Sequence, residues 1–225
     1  MYQNIPTKVL TGEVRLSYVN LTAPRASQPG AEPKYSVTLL IPKSDTATKA
    51  DIDNSIKAAY EDGVQKKWKG ARPQLKTIVH DGDGLRPSGL PFGDECKGCW
   101  VLTASTKNKP QVVGIDNINC ELSPADIYSG MYARVTINFF AFDTAGNKGV
   151  GCGLGNVLKT RDGEPLSGGA SAATDFEGIA APNHGYAQQP YYPPQPQAPA
   201  YGYAQQPAAP QTQGVRINPI TGQPM

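Results

Sequence analysis

Acidic residues are missing from the C-terminal stretch of this chain. All 19 lie between Glu13 and Glu177, and from Pro182 onward the only charged residue apart from His184 is Arg216. Cysteine is scarce too. Four residues are too few for a disulfide scaffold, so a reducing cytoplasm is the expected setting. Long apolar runs are absent, and the start, "MYQNIPTKVLTGEVRL", passes straight into a strand-like pattern. Neither a signal peptide nor a membrane span is expected. A net charge of +2 is too small to mark a nucleic-acid binder by its sum, so the distribution of charge has to be read instead.

Catalytic and metal motifs are lacking as well. There is no GxxxxGK[ST], no nucleophile elbow and no metalloprotease helix. "GCGLG" contains GxGxG, but no helical pattern follows it, which rejects a dinucleotide turn. "CKGC" (Cys96, Cys99) is half of a zinc knuckle without a second pair of ligands at motif spacing. "HDGDG" (His80, Asp81, Asp83) has the composition of an ordinary turn. No enzyme activity, cofactor or metal is expected.

The acid-free segment is dominated by Pro, Gln, Ala, Gly and Tyr, and "YAQQP" occurs at 186–190 and again at 203–207. Such a composition cannot bury enough apolar surface to offset the entropy of ordering its backbone. Residues 1–178 are therefore read as one folded domain and 179–225 as a disordered Pro/Gln/Tyr-rich tail. A coil of that length reaches roughly 35 Å, far enough for its tyrosines to compete for the domain's own binding face or to promote association between copies.

Within the domain, strands are expected at 9–19, with Leu10, Val14, Leu16 and Tyr18 on one face, and at "KYSVTLLIP", "CWVLTAST", "QVVGI", "MYARVTINFFAF" and "KGVGCGLGNVLKT". One helix is expected from 43 to 68, capped by Ser44 or Thr46, with acids in its first turns and Gly63 near its end. Residues 70–98 read as a long Gly/Pro-rich loop, of the kind that is usually functional. One helix among five or six strands gives an all-β barrel with a helical insertion.

Two places stand out. In "MYARVTINFFAF", successive side chains alternate between faces. Ala133, Val135, Ile137, Phe139 and Ala141 make a core face. Tyr132, Arg134, Thr136, Asn138, Phe140 and Phe142 make a second face, with three aromatics, a cation and two hydrogen-bonding groups. Left open, that face suits unpaired bases, because stacking contributes about 1–3 kcal/mol per base whatever the sequence. Covered by the helix, it is simply more core. The second place is "KKWKGARPQLK" (66–76), with five bases, no acid and Trp68 among them. It reads either as a cationic helix end anchored by the indole, or as a rim that grips a polyanion. On "VGCGLGN", Gly151, Gly153 and Gly155 leave one strand face bare, for barrel closure or close approach of a ligand.

Several segments, in order, resemble one family: "GAEPKYSVTLLIPKSD", "DGDGLRP", "KNKPQVV" and "YSGMYARVTINFFAFDTAGNKGVGCGLGNVLKTRDGEPLSGG". Together they are similar to tailed-bacteriophage single-stranded DNA-binding proteins, over about 11–177. The resemblance implies an OB-fold (oligonucleotide/oligosaccharide-binding fold), a role in phage DNA replication, recombination or repair, no catalysis, and the cytoplasm of the infected bacterial host as location. Matching positions include Tyr35, Lys43, Arg86, Pro87, Lys109, Pro110, Tyr128, Tyr132, Arg134, Phe140 and Lys148. The tail departs from a common pattern of such proteins: it ends "RINPITGQPM", without an acidic tip to recruit partners.

The expected function is thus non-sequence-specific binding of single-stranded DNA by an OB-fold-like barrel of five to six strands. The DNA-binding residues are expected to be Tyr35, Lys43, Lys66, Lys67, Trp68, Lys69, Arg72, Arg86, Trp100, Lys107, Lys109, Tyr132, Arg134, Phe140, Phe142 and Lys148. Replication or recombination proteins reached through the tail, and further copies of the chain, are the other partners considered; a membrane is not. The competing reading is a virion-associated structural β-domain with a protein-interaction tail, in which the two-faced strand is a protein interface.

Overall fold

Alternating patterns dominate the chain, and strands dominate the fold. The computed structural model describes residues 4–144 and 146–166; the boundary placed at 178 and the tail lie outside them. In chain order the strands are β1 (Lys8–Leu10), β2 (Val14–Arg25), β3 (Lys34–Pro42), β4 (Val79–Asp81), β5 (Cys99–Thr106), β6 (Val112–Gly114), β7 (Asn117–Glu121), β8 (Tyr132–Thr144) and β9 (Asn147–Arg161). The helix α1 (Thr46–Lys66) follows β3. "SPADIYSG" holds a single 3-10 turn, Pro124–Asp126.

The pairings close a ring. β8 pairs with β2, β2 with β3, β3 with β5, β5 with β9 in parallel, and β9 returns to β8. The closure is uneven: β5 meets β9 at one residue pair, Ser105↔Gly153, whereas β8 and β9 form a long hairpin. This is an OB-like fold rather than a clean barrel, and β1, β4, β6 and β7 extend it.

Inside the ring lie Leu16, Val37, Leu39, Leu102, Val135, Ile137, Phe139 and Val157, all buried. The helix closes one side of this core with Ile52, Ala59, Gly63 and Val64. Asp45, not Ser44 or Thr46, caps it by accepting the Thr48 N–H at 3.0 Å, and its first turn carries no acid. Gly63 lies within the helix rather than ending it. A Cβ there would meet the Ala141 Cβ at 2.5 Å and the Trp68 ring at 2.8 Å, so glycine is what lets α1 approach β8.

The first strand differs from its expected pattern. Leu10 and Tyr18 are exposed, while Val9 is buried with Val14 and Leu16. A break after Leu10 and a register shift between Ser17 and Asn20 change which residues face inward. Such a bulge re-aims side chains, and Tyr18 sits there at φ 48°, a conformation rare for an aromatic residue.

Candidate nucleic-acid interface

The outer face of β8 is built as its alternation dictates. Ala133, Val135, Ile137, Phe139 and Ala141 are buried, and Phe140, on the other face, is 46% exposed. The helix packs on the Ala141 side and leaves Phe140 open. The β8–β9 register sets Phe142 opposite Gly149, Phe140 opposite Gly151 and Asn138 opposite Gly153. A Cβ on Gly149 would stand 2.8 Å from Phe142 Cζ, and one on Gly151 would stand 2.8 Å from Phe140 Cζ. The bare face of β9 is therefore the floor on which both phenyl rings lie.

Around this floor runs a groove. Phe140 and Phe142 border a depression of about 530 Å³ with Lys34, Ser105 and Asn147. On the other side of Phe142 a second one, of about 280 Å³, is lined by Lys76, Ile78, Lys148 and Gly149. Ile78 is shared with a third, of about 250 Å³, formed by Tyr18, Thr38, His80, Arg86, Phe92 and Thr103. The outer parity of β3 and β5 supplies hydroxyls along the way. Ser36 faces Ser105, and Thr38 faces Thr103 with their oxygens 3.0 Å apart. Rings, hydroxyls and cations thus line three neighbouring depressions, the first two sharing Phe142, Asn147, Gly151 and Cys152 and the last two sharing Ile78.

Three aromatic residues expected in the interface lie elsewhere. Trp68 is 1% exposed, and its indole N–H donates to the Phe142 carbonyl at 3.0 Å. It packs edge-on against Tyr60 and is the anchor of the helix end, not a stacking platform. Trp100 pairs with Ile41 on the inward parity of β5 and is overlaid by the Lys43 and Lys49 ammonium groups at 5.1 and 4.9 Å. Tyr35 likewise shares its strand side with Val37 and Leu39, away from the Ser36–Thr38 face.

At the far end of β8, Tyr132 is half-buried, with the Arg161 guanidinium 3.4 Å from its ring centre. Arg161 is in turn held by Glu13, whose carboxyl the Thr160 hydroxyl and Arg161 keep below the usual range. Arg134 is exposed and donates from Nε to the Thr11 carbonyl at 3.2 Å. Thr136 and Asn138 are engaged within the fold, Thr136 with the Asn156 backbone and Asn138 with the Thr7 hydroxyl.

Most of the predicted cations are already paired. Lys66 meets Asp62, Lys107 meets Glu32 at 2.7 Å, and Lys109 meets Glu121 at 2.8 Å. Arg72 forms a bidentate pair with Glu61 at 2.9 and 3.0 Å, which raises its pKa and lowers that of Glu61. Lys43 bridges Asp81 at 2.6 Å and Asp83 at 2.7 Å. Lys148 lies 3.9 Å from Asp143, within the groove. Lys67 and Lys69 have no carboxylate partner among the described residues, and the Trp68–Phe142 bond fixes their end of α1 beside the end of β8.

The groove also contains residues that sequence reasoning passed over: Tyr18, Lys34, Thr38, Phe92, Thr103 and Ser105. A signal for some of them was present. In "KYSVTLLIP" and "CWVLTAST", hydroxyl residues alternate with apolar ones, which marks a second usable face of the same sheet.

The family model described as Enterobacter phage Enc34, ssDNA-binding protein, matches residues 7–186. The chain belongs to this family of phage single-stranded DNA-binding proteins. Among solved structures similar to it is the Enc34 single-stranded DNA-binding protein in complex with ssDNA. The two are 29% identical with a TM-score of 0.61, over 72% of this chain and 90% of that one. A C-terminal truncation of the Enc34 protein is 30% identical with a TM-score of 0.58, over 71% and 89% of the two chains. "Putative protein p50" of Acyrthosiphon pisum secondary endosymbiont phage 1 is 30% identical over 172 residues, 75% of this chain and 91% of that protein. The Enc34 family match spans β1 to β9 and so takes in the whole groove.

Proposed function

We propose that this chain binds single-stranded DNA along the groove of β8, β9, β5 and β3, and does so in phage DNA replication, recombination or repair. Phe140 and Phe142 stack bases, the glycine face of β9 lets the strand lie close, and Lys34, Lys76 and Lys148 neutralise phosphates. Lys67 and Lys69 extend the cationic rim. The observation that carries the reading is Phe140: a large ring left half-open in a depression shared with Lys34, on a floor stripped of side chains. Family membership, and a solved relative bound to ssDNA, support it. A duplex fits the site poorly, because its bases are already stacked on one another.

The test is a titration of fluorescein-labelled oligo-dT against a duplex of equal length, followed by anisotropy. An external label is needed because Trp68 is buried and Trp100 sits on the other side of the sheet. Tight binding to oligo-dT with weak duplex binding is expected. Equal affinity for both, or none for oligo-dT, would return the two-faced strand to the role of a protein interface.

A further inference from the structure

The depression at Arg86 has features that phosphate neutralisation does not use. Arg86 sits in a tight turn of the long loop. Its N–H donates to the Leu90 carbonyl at 2.8 Å, and its own carbonyl accepts the Gly89 N–H at 2.8 Å. The guanidinium lies over the Phe92 ring at 5.3 Å. Its Nε is buried with no hydrogen-bond partner among the described residues. A buried donor left unmade is costly, and it shows a guanidinium not committed to an acceptor within the fold. Across the pocket, the strained Tyr18 and the Thr38–Thr103 hydroxyl pair form the facing wall.

We infer that this pocket takes a single nucleobase of the bound strand, and that it prefers guanine. The inference rests on the single-stranded DNA reading above and adds a base preference to it. At about 250 Å³ the pocket lies below the roughly 300–1,000 Å³ typical of drug-sized sites, which suits one base. Its walls at Ile78, Phe92 and Val101 are apolar, so a phosphate would be stripped of water there with a single cation in return. A base instead lays its flat face against them. Arginine's planar fork matches two adjacent acceptors, and guanine offers O6 and N7 side by side. Adenine sets a donor beside N7, which would oppose the fork. Thymine's acceptors are separated by the N3–H donor, and cytosine's adjacent N3 and O2 make the dC oligomer the discriminating control.

The experiment compares oligo-dT with the same oligomer carrying one central dG, dA, dC or 7-deaza-dG. The quantity read is the ratio of affinities to oligo-dT, for wild type and for Arg86→Lys. The wild-type protein should favour the dG oligomer about fivefold or more. That preference should vanish with 7-deaza-dG, which lacks the N7 acceptor, and with Arg86→Lys, which keeps the charge but loses the fork. The 7-deaza arm needs no variant, so a poorly folded Arg86→Lys would leave the test intact. Good binding to oligo-dT with a dG ratio near one would overturn this inference alone. A dC preference equal to that for dG, or a dG ratio that survives Arg86→Lys, would overturn it too. Absence of oligo-dT binding would instead count against the function proposed above.

Discussion

The ring of Phe140 occupies the space that a side chain at Gly151 would fill. A Cβ at Gly151 would stand 2.8 Å from Phe140 Cζ and 3.1 Å from Cε2. The obstruction is the far end of an exposed side chain, so the ring can swing away at little cost. Gly151→Ala should therefore leave the melting temperature nearly unchanged while tilting the stacking surface. One lost stack corresponds to about 1–3 kcal/mol, so affinity for oligo-dT should fall by about fivefold or more. Phe140→Ala should give a similar loss. The double variant should lose little beyond either single one, because both remove the same contact. Additive losses in the double-mutant cycle would mean that the glycine face serves some other end.

Trp68 should behave in the opposite way. Its burial and its bond to the Phe142 carbonyl make it a keystone of the helix end. Trp68→Ala is expected to destabilise the domain by about 3–5 kcal/mol, the usual cost of emptying a large buried aromatic site. Affinity measured on the remaining folded protein at low temperature should stay within about twofold. Denaturant unfolding and oligo-dT titration of the same preparation check both halves. A large affinity loss without loss of stability would restore the indole to the interface.

These two aromatics show what was legible in the sequence and what was not. The two faces of β8 could be read residue by residue, because strand alternation is a local geometric rule and both faces kept it. The bare face of β9 was equally visible. Its role as a floor depends on cross-strand register, which local patterning does not determine. Trp68 amid lysines was ambiguous, since an anchor and a platform share the same local sequence; only the position of Phe142, distant in the chain, separates them. Strand β7 went unseen because it is short and its alternation, "NINCE", sets only Ile118 and Cys120 against polar residues; all five of its residues are exposed. The pairing of Lys43, Arg72, Lys107 and Lys109 with carboxylates was hidden because their partners, Asp81, Glu61, Glu32 and Glu121, are well separated from them in sequence; only the Lys66–Asp62 pair, at i,i+4, is local.

That pairing leads to a prediction about salt. If Lys34, Lys67, Lys69, Lys76 and Lys148 together neutralise about five phosphates, log affinity should fall with log salt at a slope near −3.5, at roughly 0.7 per phosphate on a single strand. Replacing Lys34 or Lys76 by Ala should flatten the slope by about 0.7. Lys66→Ala and Lys107→Ala should change it little, because Asp62 and Glu32 already occupy those ammonium groups. A full decrement from Lys107→Ala would extend the DNA path past Glu32 and redraw the interface.

The base of the long loop supplies a prediction about pH. Lys43 bridges Asp81 and Asp83, and Asp83 also accepts the Gly98 N–H at 2.9 Å. The Lys43 ammonium beside them is the main reason both carboxyls sit below their ordinary range; backbone N–H groups add to it. The same contacts, Asp81 first, raise Lys43. For the depressed carboxyls, the stabilising contribution is complete above the unfolded value of about 3.9 and is lost as pH falls through the lower folded values. For the raised lysine, it is complete below about 10.4 and is lost as pH climbs through the higher folded value. The clasp should thus be insensitive to pH between about 5 and 9 and should loosen only in acid or strong alkali. Amide exchange at Gly82 and Gly98, corrected for intrinsic rates, reads this opening directly, since their N–H groups bond to Cys99 and Asp83. Lys43→Met should raise exchange of both amides at neutral pH and weaken their acid dependence, because the carboxyls lose the cation that holds them ionised. An unaltered acid profile in Lys43→Met would mean that the loop carrying Arg86 and Phe92 is held by its backbone bonds alone.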